Sequence, residues 1–285
     1  MRKICIIKLK SAGDVVRTTP ILRAFPDCRI SWITDEKSYP FIKGNSLIQD
    51  VFLIRDLPVL GGFDALYNFD EDESACKMAE SISAGLKKGY GWRNGGFYPF
   101  DRDSEYAYRL TQDNHLKFRL NKKTYQQIIF EMAGLSWSGE DYVLNFRPDN
   151  KIIHRVGLNY MAGEKFPNKI WVNWRDLPGL FPGVSVQVKF GEPIEYINWI
   201  NSCEVIVTGD SLGMHIALAL GKKVIALFGE TSMNEIEMYS RGIKLSAGFS
   251  CSPCYKKKKC DIRPSCMEAI SAQAVGEAIM RLSGK

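Results

Sequence analysis

The sequence predicts an α/β protein built as two doubly wound halves. Strand, helix and strand patterns alternate in both halves, which is the signature of a parallel sheet. A Pro148-Asp149-Asn150 break reads as a linker between them. The 285 residues amount to nearly two domains at roughly 150 residues each. The expected division is therefore 1–150 and 151–285.

Composition narrows the class. Hydrophobic residues make up 45% and charged residues 25%. That excludes disorder, collagen and coiled coil as whole-chain descriptions. No apolar run reaches the ~18 residues a membrane span needs. The apolar run within Met1–Lys8 is too short for a signal peptide, so a cytoplasmic location is expected. The net charge of +6 suits anionic partners such as phosphates, nucleic acid or anionic lipid, without choosing among them.

Each element has a local reason. Lys3 to Leu9 is an Ile-rich strand, and Lys10-Ser11-Ala12-Gly13 is a small-residue loop. A helical pattern follows from Asp14 to about Phe25, then a strand from Arg29 to Thr34. Asp64 to Phe69 and Lys87 to Tyr90 read as further strands, with a helix near Ser74 to Ser83. Between 89 and 108, Tyr90, Trp92, Phe97, Tyr98, Phe100, Tyr106 and Tyr108 are interleaved with glycines and arginines. This is loop composition carrying many rings, which either line a core or face a sugar. Lys122 to Ala133 is a helix stopped by Gly134. The second half has strands at Ile152–Asn159, Val184–Lys189, Glu204–Thr208 and Lys222–Phe228. Its helices are Pro193–Asn201 and Ser211–Leu220. Two such halves are expected to face a central cleft, with ligands at the carboxyl ends of the strands.

Three loops have chemistry to offer. Lys10-Ser11-Ala12-Gly13-Asp14 opens the first helix. Asp14 reads either as a first-turn carboxylate paired with Arg17, with Ser11 as cap, or as a general base toward a hydroxyl. Thr208-Gly209-Asp210-Ser211-Leu212-Gly213-Met214-His215 also opens a helix, whose free N–H groups suit a diphosphate. Asp210 and Ser211 are equally ordinary caps there, and Met214 and His215 equally ordinary packing residues. In Gly163-Glu164-Lys165-Phe166-Pro167-Asn168-Lys169-Ile170-Trp171, a lysine among aromatic residues either snorkels or clamps a phosphate. No G-x-G-x-x-G and no G-x-x-x-x-G-K-[ST] occurs, which counts against a dehydrogenase and a P-loop nucleotidase.

The cysteines fall into two groups. Cys5, Cys28, Cys76 and Cys203 are scattered and read as small buried hydrophobes. Cys251, Cys254, Cys260 and Cys266 crowd into one short stretch beside the run Lys256–Lys259. The Cys-x2-Cys pair has the spacing that lets two sulfurs reach one metal, and two more complete a tetrahedral set. Zinc and iron both suit four thiolates, and the site would be structural; two disulfides, in an oxidising compartment only, and four free thiols are the other readings. A nucleic-acid module using the lysine run is a rival reading; no nucleic-acid partner is expected.

Read together, these segments resemble glycosyltransferase family 9, the lipopolysaccharide heptosyltransferases. Ile6 through Pro20 looks like that family's opening strand, loop and helix. Asp210 to His215, Ala217 to Lys222 and Leu227 to Ser232 look like its donor-binding loops. Lys169-Ile170-Trp171 is similar to the stretch supplying its phosphate-binding lysine, and the cysteine loop with Pro264-Ser265-Cys266-Met267 recurs in part of the family. The resemblance implies a GT-B fold of two Rossmann-like domains, acceptor toward the first and donor in the second. It implies inverting transfer of a heptose from ADP-heptose to a surface-glycan or lipopolysaccharide-type acceptor, with no catalytic cofactor. Asp14 would be the base, and Lys10, Ser11, Gly13 and Arg17 would stand on the acceptor side. Lys169 would hold the diphosphate, and Asp210, Ser211, Gly213, Met214 and His215 would contact the donor. A lipid-linked acceptor would bring peripheral membrane contact. The departures are Leu212 where Gly is frequent, Glu230 where Pro is usual, and a shortened stretch from Trp174 to Val205, which abbreviates the C-terminal domain. They leave open the alternative of a degenerate nucleotide-binding or scaffold subunit.

Overall fold

A computed structural model describes residues 1–146, 151–163, 166–256 and 258–284. The chain divides into two compact units, Met1–Phe146 and Arg147–Lys285. The Pro148–Asn150 linker, Glu164, Lys165 and Lys257 lie outside the described residues.

Unit 1 carries a six-stranded sheet of β1 (Arg2–Ile7), β2 (Cys28–Thr34), β3 (Asp50–Leu53), β4 (Phe63–Asn68), β5 (Ala84–Arg93) and β6 (Gly96–Pro99). Their spatial order is β3-β2-β1-β4-β5-β6. All pairs are parallel except β5 with β6. The period of two along β1 sorts its side chains: Ile4 and Ile6 enter one core with Trp32 and Phe130, while Cys5 and Ile7 enter another with Leu66 and Ala79. Both faces are buried, as a parallel sheet requires. The helices are α1 (Ala12–Thr18), α2 (Glu73–Ser81), α3 (Glu105–Gln112) and α4 (Tyr125–Met132).

Two expectations are corrected here. The helix opening at Asp14 does not run regularly to Phe25: α1 ends at Thr18 and a tighter 3-10 stretch continues from Thr19 to Ala24. Pro20 supplies the reason, since it has no N–H for the α-helical ladder. The segment 89–108 is not a loop but a hairpin, β5 with β6, followed by α3. Its rings resolve the two readings toward packing: Tyr90, Phe97 and Tyr108 meet edge to face, and Trp92 and Tyr106 join the same core. Helix α4 starts on a Thr124–Gln127 capping box and stops before Gly134 at φ +73°.

Unit 2 carries β7 (His154–Asn159), β8 (Val184–Val186), β9 (Cys203–Gly209), β10 (Lys223–Phe228) and β11 (Gly242–Ser246). The order is β11-β10-β9-β7-β8 and every pair is parallel. The helices are α5 (Leu177–Leu180), α6 (Pro193–Asn201), α7 (Leu212–Ala219) and α8 (Ala272–Ser283). Pro193 occupies the first turn of α6, where its missing donor costs nothing. The abbreviated stretch from Trp174 holds only the four-residue α5, the three-residue β8 and α6 before β9 begins.

Strand order sets a topological switch point in each unit. In unit 1 the chain leaves β1 for β2 and β3 on one side, then returns to β4 on the other. In unit 2 it leaves β7 for β8, then returns to β9. Such reversals open crevices at the carboxyl ends of the flanking strands. The loops after β1 and β4, and those after β7 and β9, stand at these points.

Candidate functional site

In unit 1 the loop after β1 is held from beneath by an ion pair. Lys8 and Asp70 are 8% and 5% exposed, and Lys8 Nζ lies 3.4 Å from the Asp70 carboxylate. Lys8 Nζ also donates to the Phe69 carbonyl at 3.2 Å. Asp70 accepts from the Leu9 and Lys10 N–H groups at 2.9 and 3.4 Å, so it grips the loop by its backbone. Burial works against the Lys8 charge, yet Tyr125, Asp70 and Asp14 hold its pKa above the ordinary lysine range. Lys10 extends outward to an ion pair with Asp72, which also caps α2 by accepting from Ser74.

The sequence-predicted residues of this loop come together. Ser11 adopts φ +66°, a conformation most side chains avoid, at a cost of about 1–3 kcal/mol. It caps α1 with its carbonyl, which accepts from Asp14 and Val15 N–H at 2.7 and 3.0 Å, and its side chain makes no cap bond. Gly13 lies in the first turn of α1. Arg17 Nη2 donates to Asp14 Oδ1 at 2.9 Å, and its guanidinium stacks 3.8 Å from the centre of the Tyr125 ring. The Tyr125 hydroxyl lies 2.8 Å from Thr18 Oγ1, which donates to the Asp14 carbonyl. Asp14 is thus oriented by a guanidinium that is itself locked on an aromatic face.

In unit 2 the loop after β9 forms a second constellation. Lys169 Nζ donates to the Asp210 carbonyl at 2.9 Å and reaches its carboxylate at 3.3 Å. His215 Nε2 lies 4.0 Å from the other Asp210 oxygen. Asn159, at the end of β7, donates to Thr208 Oγ1 at 2.8 Å and to Ser211 Oγ at 3.0 Å. Tyr196 from α6 donates to Asn159 Oδ1. These bonds hold the start of α7, whose first N–H groups have no partner within the helix. Gly213 is required: a β-carbon there would stand 2.2 Å from the Tyr196 hydroxyl and 2.6 Å from Asn159 Nδ2. Met214 is completely buried and His215 nearly so, so the Met214 side chain packs within the unit.

The scattered cysteines pack as small apolar residues. Cys5, Cys76 and Cys203 are buried and Cys28 is half-buried. Burial pushes the thiols of Cys5 and Cys76 up to about 12 and that of Cys203 to about 11. All eight cysteines are free thiols. Cys251, Cys254, Cys260 and Cys266 line one small pocket together with Asn168 and Glu230. Burial, then the neighbouring Cys254 and Cys251, raises the Cys266 thiol. Four thiols on one pocket fit a thiolate-preferring ion in kind. Among the described residues, however, no three His, Cys, Asp or Glu side chains stand close enough together to hold a metal.

Glu230 lies on that pocket and was not singled out as a site residue from the sequence. It is 1% exposed, its Oε2 accepts from Asn168 Nδ2 at 2.9 Å, and its buried Oε1 has no hydrogen-bond partner among the described residues. Burial, with Asp210 nearby, raises its pKa, against the pull of Asn168 and Lys169. Lys8, Asp70, Tyr125, Asn159 and Tyr196 were likewise missed. Their only signal was a polar residue at the end of an apolar strand or on a helix that packs beside one.

Two parallel-sheet units in tandem, with polar loops at both topological switch points, define the GT-B class of glycosyltransferase architecture. The family model of glycosyltransferase family 9 (heptosyltransferase) matches residues 194–262, from α6 through the first three loop cysteines. The fold extends over the whole chain. A glycosyl transferase family 9 structure from Veillonella parvula is 18% identical, with a TM-score of 0.69 and coverage of 99% of this chain and 97% of that one. The E. coli heptosyltransferase WaaC, solved with ADP-2-deoxy-2-fluoro heptose, is 15% identical, with a TM-score of 0.60 over 98% and 99% of the two chains. The iron-containing dodecameric glycosyltransferase TibC of enterotoxigenic E. coli is 11% identical, with a TM-score of 0.63 over 99% of this chain and 76% of that one. Among curated proteins, none matches the sequence significantly. The resemblance to family 9 and the expectation of a glycosyltransferase enzyme are borne out at this level. Among the described residues no helix is long and apolar enough to cross a membrane.

Proposed function

We propose that the protein is an inverting glycosyltransferase that moves a heptose, or a related sugar, from ADP-heptose to a hydroxyl of a surface-glycan or lipopolysaccharide-type acceptor. The observation that carries this reading is the Lys169–Asp210 pair at the start of α7, on a switch point of unit 2, in which residues 194–262, with Asp210 but not Lys169 among them, match the family 9 model. A lysine there meets diphosphate charge, and a helix start adds unpaired N–H donors. WaaC was solved with an ADP-heptose analogue and TibC with ADP-D-beta-D-heptose, which supports an ADP sugar as donor.

The reaction is a single displacement. The acceptor oxygen bonds to the anomeric carbon as that carbon's bond to the diphosphate oxygen breaks. The acceptor's proton passes to the Asp14 carboxylate, and the electron pair leaves with the nucleoside diphosphate. Lys169 and the start of α7 with Ser211 and Gly213 meet the growing negative charge. Asp210 and His215 set the position of Lys169 and of the donor loop. Unit 1 takes the acceptor, with Lys10, Ser11, Gly13 and Arg17 around Asp14. Zinc or iron, held by Cys251, Cys254, Cys260 and Cys266, would order the loop that follows β11 and take no part in the displacement. That a structural neighbour, TibC, is iron-containing supports an ion in this architecture. An acceptor carried on a lipid would bring the cytoplasmic enzyme to the inner face of the membrane through basic residues.

Calorimetric titration with ADP, UDP, GDP and NAD tests the reading. Selective ADP binding supports it. Selective UDP or GDP binding changes the donor, and binding of none of them removes the reading.

A further inference from the structure

We infer that Phe166 is a positioning residue that holds the Lys169 ammonium for a diphosphate, and that Tyr255 seats the Phe166 ring. This rests on the donor-site reading above. Phe166 and Lys169 close one turn, in which the Lys169 N–H donates to the Phe166 carbonyl at 3.2 Å. Pro167 lies between them and fixes the direction of the backbone. The turn brings the two side chains together, and Lys169 Nζ lies 5.0 Å from the centre of the Phe166 ring. A ring face attracts an ammonium at that distance. Lys169 is thus anchored both by the ring and by the Asp210 oxygens at 2.9 and 3.3 Å. The two anchors differ in kind. The Asp210 carboxylate is an anion and competes with a diphosphate for the ammonium hydrogens. The ring is neutral, so it restrains the ammonium and leaves the charge for a ligand.

Tyr255 fixes the ring in turn. The Phe166 and Tyr255 rings meet edge to face, with centres 6.4 Å apart and planes at 79°. Tyr255 is itself tied to the segment after β10. Its N–H donates to the Glu230 carbonyl at 2.8 Å, and its hydroxyl accepts from the Ser232 N–H at 3.1 Å. Its backbone stands at φ +48°, a left-handed conformation that a residue with a β-carbon keeps only where its surroundings hold it. The backbone of the turn is held as well. Asn168 Nδ2 donates to Glu230 Oε2 at 2.9 Å, and Asn168 Oδ1 accepts from the Cys260 N–H at 2.8 Å. A β-carbon on Gly209 would stand 2.8 Å from the Lys169 carbonyl oxygen, so the turn also abuts the donor loop. A flexible lysine loses much rotamer freedom when a ligand fixes it. A ring that holds it beforehand places that cost in folding and removes it from binding.

A double-mutant cycle tests this, with ADP affinity read by calorimetry on the full chain. Phe166→Leu keeps apolar bulk and removes the ring face. It is expected to weaken ADP binding about three- to thirtyfold, the scale of an ammonium–ring contact. Phe166→Tyr restores a ring and is expected to bind as the wild type does. In a Lys169→Ala background, Phe166→Leu is expected to change nothing further, because the group it positions is gone. A merely structural role for Phe166 would weaken binding in both backgrounds alike. Tyr255→Leu, which unseats the ring, is expected to act in the same direction and to fall silent in the same background. It replaces Phe166→Leu in the cycle if that variant melts below the assay temperature. Unchanged affinity in the leucine variants, a loss that persists without Lys169, or a loss in Phe166→Tyr overturns the inference and leaves the donor reading intact. A wild type that does not bind ADP, or a Lys169→Ala variant that binds it undiminished, overturns the donor reading and the inference together.

Discussion

Lys169 Nζ lies 2.9 Å from the main-chain oxygen of Asp210 and 3.3 Å from its carboxylate. It therefore crosses the start of α7 at the switch point between β7 and β9. Its charge offsets that of a largely buried carboxylate that would otherwise repel a diphosphate. Lys169→Ala is expected to weaken ADP binding by about ten- to a hundredfold, the scale of a lost hydrogen bond to a charged group. Calorimetry reads the loss directly, and unchanged affinity would take Lys169 out of the donor site.

Asp14 is held by Arg17 at 2.9 Å, and Arg17 is stacked on Tyr125. Asp14→Asn preserves size and leaves unit 2 untouched. Turnover is expected to fall on the order of 10²–10⁴-fold, the usual worth of a positioned base. Donor affinity is expected to stay within about twofold, since the scale of one lost ligand contact is larger. Steady-state kinetics on a hydroxyl acceptor check the first expectation, and equilibrium ADP titration checks the second.

The Lys8–Asp70 pair is buried, and removing one partner leaves the other charge without compensation. Lys8→Met is expected to destabilise the protein by about 3–5 kcal/mol. Asp70→Ala is expected to cost no less, because it also frees the Leu9 and Lys10 N–H groups. Denaturant melts of the two variants test this. Lys8 has its pKa raised by folding, so the pair's stabilisation is complete below the ordinary lysine value of about 10.4. It is lost as pH climbs from there through the folded value.

The thiols separate by reactivity. In chelator-stripped protein Cys251, Cys254 and Cys260 are expected to react with a disulfide reagent ahead of Cys266, whose thiol is raised, and Cys5, Cys76 and Cys203 only on unfolding. An unfolded thiol ionises near 8.5, whereas Cys5 and Cys76 are held to about 12 and Cys203 to about 11. Burial thus favours the neutral folded form, and the associated stability is lost as pH rises from about 8.5 toward those values. Thiol counting in native buffer, with melts at alkaline pH, measures both.

Gly213→Ala places a methyl group on Tyr196 and Asn159, which also hold Thr208 and Ser211. Overpacking of this kind costs about 1–3 kcal/mol. The variant is expected to lower the melting temperature and to weaken ADP binding together. A stable variant with intact binding would show that the start of α7 tolerates displacement.

The sequence by itself determined the class, the two halves and the places of both loops. A short continuous apolar run rich in β-branched residues, such as Ile4-Cys5-Ile6-Ile7, suits a strand buried on both faces, and Pro193 at a helix start and Gly134 past a helix end are local steric facts. These are properties of neighbouring residues, and so they are legible in one dimension. The segment from 89 to 108 was not, because its glycines and aromatic residues suit a loop, and only pairing of β5 with β6 makes them a hairpin. Tertiary structure alone decided which polar groups meet. Asp70 reaches Lys8, Tyr125 reaches Arg17, and Asn168 reaches Cys260 across separations that no local pattern records. Their partners are chosen by strand order, which sets the carboxyl ends of β1 and β4, and of β7 and β9, side by side.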